Sequence, residues 1–459
     1  SLRSWPEWVT LGAIFLAYTN AAAVGVHFHG LPAAAAAAVL LLPAVPLAIY
    51  LLRDGQPLIV TPALPWVALF VLIQSASAVR ADRPDVAADT LFVLIGEGLV
   101  VFFLLTNVIR NTQLLQRSVW ALLVAGALLG GLSLFQQLTR TYDNNYGGFA
   151  QMSNAEFRTG GAEVEVEDGE FDPEASQRRL AGPIGETNRY AQVMLMLVPL
   201  GLFHMWGGSR PAVRGLAALA TFLIMIGVTL TFSRGALVGA AVLLVALIYL
   251  GRLRPAQIGV IVLGLVSITL LVPQSRTRVE SLLDIVPGVR GPEFNVASAD
   301  GSVRSRLTEM LAGAAAFLDH PVLGVGPGMF RYHYRDYAED VGLRLLDTTR
   351  RAHCLYVELA AETGLLGLAC FGVILSVVFI RLVRARAFWR QTDTRRFHTA
   401  TGLLLALLAY LVTGVFLHFA YIRYFWLVVA VAAAAGDLGV AASQRQPAPG
   451  PTEDRPCYN

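Results

Sequence analysis

Lysine is absent from the 459 residues, so all 35 basic side chains are arginine. Genomic base composition suffices as a cause. The consequence is still chemical: every cation is a planar fork, always charged and shaped for phosphate or carboxylate. Charge itself is scarce, 15% of residues against 55% hydrophobic. A soluble globule of this length could not hide so much apolar surface, which makes the chain an all-α polytopic membrane protein. Cysteine is scarce as well. Cys354, Cys370 and Cys457 provide neither a disulfide framework nor a metal site. The chain opens on Ser1, which reads as a trimmed start. Its first apolar segment lacks a small-residue cleavage pattern and reads as a span, not a signal peptide.

Apolar windows of about 20 residues, long enough to cross a bilayer, occur about twelve times. They lie near 8–28, 31–52, 58–78, 88–108, 114–137, 188–206, 212–232, 235–251, 256–273, 355–382, 398–418 and 421–441. This divides the chain into helices 1–5 (1–138), an acidic loop (139–187), helices 6–9 (188–273), a large loop subdomain (274–354), helices 10–12 (355–441) and a tail (442–459). Arginine in the short loops orients the chain. With both termini cytoplasmic, the inner side holds Arg53, Arg110, Arg117, Arg210, Arg214, Arg252 and Arg254, together with the cluster Arg381, Arg384, Arg386, Arg390, Arg395 and Arg396. Most carboxylates and both long loops then fall on the outer side.

The two outer loops are too long to be mere connectors. The first carries Glu163-Val164-Glu165-Val166-Glu167-Asp168-Gly169-Glu170, which reads as a solvated charged segment. In the second, Ser305–Leu318 has helical periodicity, with Leu307, Met310, Leu311, Ala314 and Leu318 on one stripe. A small helical subdomain lying over the bundle is expected. No internal repeat is evident, which weakens an inverted-repeat transporter.

Titratable groups at membrane depth are functional candidates by default. His353, in Arg350-Arg351-Ala352-His353-Cys354-Leu355-Tyr356, stands where the large loop enters the tenth span. Near neutral pH an imidazole can take a proton from a hydroxyl; a hydrogen-bonded structural histidine at a helix cap is the other reading. If 353–363 is one helix, Glu358 and Glu362 lie roughly 140° and 180° around from His353. Neither carboxylate then orients it, and both are expected to pair with arginines. Arg189 follows Thr187-Asn188, either of which could cap the sixth span; it is a phosphate ligand or a headgroup anchor. Arg234 sits in the tight Thr231-Phe232-Ser233-Arg234-Gly235 connection, where Ser233 could cap the next helix. Arg276, Arg278, Arg304 and Arg306 form the basic part of the large loop. Together with Arg189 and Arg234 they suit a diphosphate at headgroup level. Glu97, mid-span in Gly96-Glu97-Gly98, is either a proton-relay residue or a paired group.

These residues carry a resemblance. Leu180-Ala181-Gly182-Pro183 with Asn188-Arg189-Tyr190-Ala191, then Thr231–Gly235, His320-Pro321-Val322-Leu323-Gly324-Val325-Gly326-Pro327-Gly328, and Glu362-Thr363-Gly364-Leu365-Leu366-Gly367 resemble the O-antigen ligase and polymerase superfamily in motif and order. The motifs cover roughly residues 180–370. The resemblance implies a GT-C-like membrane glycosyltransferase that works without metal or cofactor. Its donor would be an undecaprenyl-diphosphate-linked oligosaccharide; its acceptor a hydroxyl of a glycan, of lipid A core or of a protein; no nucleic acid is involved. It further implies His353 as base and Arg189, Arg234 and Arg304 on the diphosphate; Arg276, Arg278, Asn188, Arg351, Tyr356 and Glu362 complete the expected substrate site. One position departs from the family: Cys354 stands where Asn is frequent, and a thiol cannot make the amide's hydrogen bonds, so Cys354 is read as packing. A transporter or flippase of lipid-linked saccharide is the alternative from another class, and Glu97 is its best single residue.

Overall fold

A computed structural model describes residues 5–152, 179–253, 256–257, 301–341, 349–418 and 422–445. The acidic stretch 163–170, the window 256–273 from residue 258 onward, Arg276, Arg278 and Cys457 lie outside the described residues.

The first two apolar windows are each two helix segments: α1 (Trp5–Tyr18) with α2 (Ala21–His29), and α3 (Ala33–Leu41) with α4 (Ala44–Leu52). The pairs are bent by 59° and 41°. Asn20, in the left-handed region at φ 59°, breaks the first. Pro43 breaks the second, because proline withholds a backbone N–H. Next come α5 (Leu64–Val79), then α6 (Pro84–Val93) and α7 (Val100–Val108), joined through one π-helical turn, Leu94–Leu99. α8 (Thr112–Thr139) starts at Asn111, whose Oδ1 accepts the Leu114 N–H at 2.7 Å. That side-chain bond satisfies one of the orphan donors of a helix start.

After α8, β1 (Gln151–Met152) pairs antiparallel with β2 (Leu180–Gly182), which brings the two ends of the first long loop together. α9 (Thr187–Gly207), α10 (Pro211–Thr229) and α11 (Arg234–Tyr249) follow. The second long loop contains α12 (Gly301–Asp319) and α13 (Phe330–Val341), which pack on each other and on α14 (Leu355–Thr392). α15 (Thr394–Thr413) and α16 (Ile422–Arg445) close the chain. Among the described residues seven helices are long and apolar enough to cross a membrane, nine if each bent pair is one span, and α5 and α11 are shorter apolar helices. The chain is thus an all-α, multi-pass membrane protein; the expected twelve spans are not reached among the described residues.

α9 is the centre, packed by α8, α10, α11 and α15. Its side chains from Arg189 to Leu200 are all buried. Without a hydrophobic drive inside lipid, helices associate where small residues allow close approach. Gly130 on α8 does this: a Cβ there would lie 2.1 Å from the Leu223 carbonyl oxygen of α10.

The stripe expected on α12 is not its most buried face: Leu307, Met310 and Ala314 are half-buried. Leu311 and Leu318 are 43% and 73% exposed, whereas Ser305, Thr308, Glu309, Ala312 and Ala316 are buried. The face turned inward is the small and polar one, because α12 lies against another helix at close range. A Cβ on Gly313 would meet Val357 Cγ1 at 2.6 Å.

Candidate functional site

α14 is two pieces divided at Gly364, whose φ of 64° and ψ of −166° belong to a region open essentially to glycine alone. A Cβ there would also lie 2.2 Å from the Val322 carbonyl oxygen. The short piece before the break, 355–363, forms the lip. It is fastened to the glycine-rich loop 320–328 by Val325 N–H to Ala361 O at 2.9 Å and Gly326 N–H to Glu362 O at 3.0 Å. Leu365 N–H donates to Pro321 O at 2.8 Å. Ser77 of α5 adds its hydroxyl, donated to Leu323 O and Glu362 O at 2.6 and 2.8 Å. Two motifs separated by 33 residues of chain in the sequence numbering, at Gly328 and Glu362, are therefore one built unit.

His353 precedes this lip in a left-handed conformation, φ 44°, which is uncommon for a residue with a side chain. Its Nδ1 stands 2.7 Å from Oε2 of Glu309 and 3.2 Å from the Arg351 carbonyl oxygen. Glu309 is 1% exposed and projects from the inward face of α12. The Arg351 carbonyl oxygen can only accept, so it keeps a proton on Nδ1 and leaves the acceptor lone pair on Nε2, with the Glu309 carboxylate close beside Nδ1. The His353 ring also meets the His418 ring in a T-shaped contact, centroids 5.6 Å apart. The His418 carbonyl oxygen accepts from Arg189 Nη2 at 2.7 Å.

Arg189 itself is wholly buried. Its Nη1 donates to Gln192 Oε1 at 2.9 Å, and Glu186 lies 3.8 Å from Nε. It does not snorkel to the headgroups. The helix start also differs from expectation: Glu186 is the residue before α9 and makes no side-chain cap. Asn188 instead accepts from Arg179 Nη2 at 3.4 Å.

The other expected residues have these places. Arg351 pairs with Glu358 at 2.9 Å, the arginine pairing expected of that carboxylate. The Glu362 carboxylate faces the backbone N–H groups of Gly328 and Phe330 at the end of the glycine loop. Tyr356 donates to Leu411 O at 2.7 Å, tying the lip to α15. Cys354 is buried. Arg234 opens α11 behind Ser233, whose Oγ accepts the Ala236 N–H at 3.4 Å. The neighbouring Gly235 abuts Phe416, two residues before His418. The Nε of Arg304 is buried without a hydrogen-bond partner among the described residues. Glu97 is a paired group: Arg423 donates to both its oxygens, at 3.0 and 2.8 Å, and to Asn20 Oδ1 at 3.0 Å.

Three functional candidates escaped the sequence reading: Glu309, His418 and Arg423. For Glu309 a signal existed, since Ser305, Thr308, Glu309, Ala312 and Ala316 also recur at helical spacing. The larger side chains on the other face hid it.

A histidine and a buried carboxylate thus meet at one end of a multi-pass helical bundle, beside arginines. Residues 219–372 match the family described as O-antigen ligase. Over that third of the chain the match supports the resemblance to the O-antigen ligase and polymerase superfamily. The matched third of the chain contains Arg234, Glu309, His353 and Glu362 and ends within α14; Arg189 lies before it. No curated protein matches the chain.

Proposed function

We propose that the chain transfers or polymerises glycan from an undecaprenyl-diphosphate-linked donor onto an acceptor hydroxyl, on the outer face of the inner membrane, with His353 as general base. The observation that carries this reading is the 2.7 Å contact of His353 Nδ1 with the buried Glu309 carboxylate. The acceptor O–H gives its proton to His353 Nε2 as its oxygen bonds to the anomeric carbon. The bond from that carbon to the diphosphate oxygen breaks, and the leaving group keeps the electron pair. Attack from the face opposite the leaving group inverts the anomeric centre. Glu309 fixes the tautomer and stabilises the imidazolium that forms, as carboxylates do for catalytic histidines. Charge growing on the diphosphate is met by Arg234 and Arg304, with Arg276 and Arg278 in the same loop; preorganised cations of this kind supply much of a barrier's reduction. Arg189 acts at one remove, through the His418 carbonyl.

The transporter reading is disfavoured by Glu97. Both its oxygens are taken by Arg423, which makes it one half of a structural ion pair between helices. Purified protein given a lipid-linked oligosaccharide, with lipid A core or with no added acceptor, tests the proposal. A ladder without added acceptor is polymerase activity, a single conjugate to the core is ligase activity, and lipid movement across vesicles without either product defeats the reading.

A further inference from the structure

The end of the bundle away from His353 carries a second arginine group, unconnected with glycan transfer. α9, α11 and α14 run from the His353 end to this one, and α15 starts here. Arg252 follows α11, while Arg386 and Arg390 occupy the last turns of α14. The Arg252 guanidinium carbon lies 5.6 Å from the ring centre of Phe203 on α9 and 5.4 Å from that of Phe397 on α15. The Arg386 guanidinium lies 4.9 Å from the same Phe397 ring, and its Nε donates to Thr401 Oγ1 at 2.9 Å. Two cations therefore share one aromatic ring, and Arg390 is within electrostatic reach of both. Burial first, and then the charge of Arg390, lower the pKa of Arg252 from its ordinary value.

Membrane topology accounts for arginines at this end, but not for their arrangement. Nearby arginines are neutralised: Arg381 by Asp437 at 2.6 Å, Arg396 by Asp393 at 3.1 Å, and Arg117 by Glu7. Among the described residues no carboxylate pairs with Arg252, Arg386 or Arg390. Stacking on a ring orients a guanidinium without consuming its N–H donors. The result is a set of neighbouring cations, two of them held on one ring, whose mutual repulsion an anion would relieve. The group sits at the ends of membrane helices, the depth of the headgroups, on a floor of phenylalanine. Basic pockets between helix ends bind phospholipid headgroups by this chemistry. We propose that Arg252, Arg386 and Arg390 bind the phosphate of an anionic phospholipid from the leaflet on that side.

Native mass spectrometry of the full chain in detergent, titrated with phosphatidylglycerol or phosphatidylcholine, reads the site. The expected result is preferential retention of phosphatidylglycerol. Arg252→Gln and Arg386→Gln should each reduce that preference about fivefold, while Arg53→Gln, an exposed arginine at the same end, should leave it unchanged. Arg390 is exposed, so Arg390→Gln supplies the same comparison should the other variants fail to fold. Equal retention of the two lipids by the wild-type chain, or a preference untouched in all three variants, overturns the proposal. So does displacement of the lipid by millimolar inorganic phosphate, which would make this a site for soluble anions.

Discussion

At the scale of single residues the chemistry converges on His353, and its environment makes separable predictions. General-base catalysis contributes about 10²–10⁴-fold, so His353→Ala should lose transfer by that factor, measured as product formed from a lipid-linked donor. Glu309→Gln keeps the shape but not the charge. It should lower kcat with little change in the acceptor KM, and in the His353→Ala background it should cost almost nothing more. Residues that act as a unit are non-additive in this way. A Glu309→Gln protein with full activity, or with a loss that multiplies that of His353→Ala, removes Glu309 from the reaction. The histidine was legible without a structure because it stands where a charged loop meets an apolar span. Its partner was not. Glu309 is 44 residues away in chain numbering, and only the approach of α12 at Gly313 turns it towards the lip.

At the scale of elements, two junctions hold the site, and each has its own test. The break in α14 requires glycine. Gly364→Ala would force a Cβ against Val322 O and place alanine in a region that costs about 1–3 kcal/mol from strain alone. Thermal melting in detergent should show the loss, and a variant that melts like the wild type contradicts this account of the lip. The second junction joins the π-helical turn, α16 and the α1–α2 break through Glu97, Arg423 and Asn20. Removing one member of a buried ion pair costs about 3–5 kcal/mol; the Glu97 side chain is 25% exposed, which sets Glu97→Gln at the lower end. Glu97→Leu combined with Arg423→Leu should cost less than the two single changes together, as read from the same melts. Independent losses that simply add would mean the contact does not couple them. Glu97 could be noticed in the sequence as an acid inside an apolar span. Which arginine answers it depends on helix packing, since the two are 326 residues apart.

At the scale of the whole molecule, connectivity separates two ends. His353, His418, Arg189 and Arg234 gather at one; Arg252 and the arginines from 381 to 396 lie at the other. If the second end faces the cytoplasm, cysteine labelling in intact cells will distinguish them. In a chain with Cys354, Cys370 and Cys457 replaced, His320→Cys should react with an impermeant maleimide and Ser209→Cys should not; both positions are exposed. The reverse pattern would turn the protein over in the membrane and place the proposed transfer site inside.

Composition and hydropathy are local properties, and by themselves they determined the membrane class, the apolar windows and the charged lip that holds His353. Only the tertiary structure decided that loop 320–328 and the Glu362–Gly364 turn form one unit, that α12 offers its polar face, and that Arg189 is buried beneath His418. The reason is physical. A helix's sequence states which residues are apolar, but in a membrane the inward face is chosen by close packing at small residues, and the partner that satisfies each buried charge comes from whichever element that packing brings beside it.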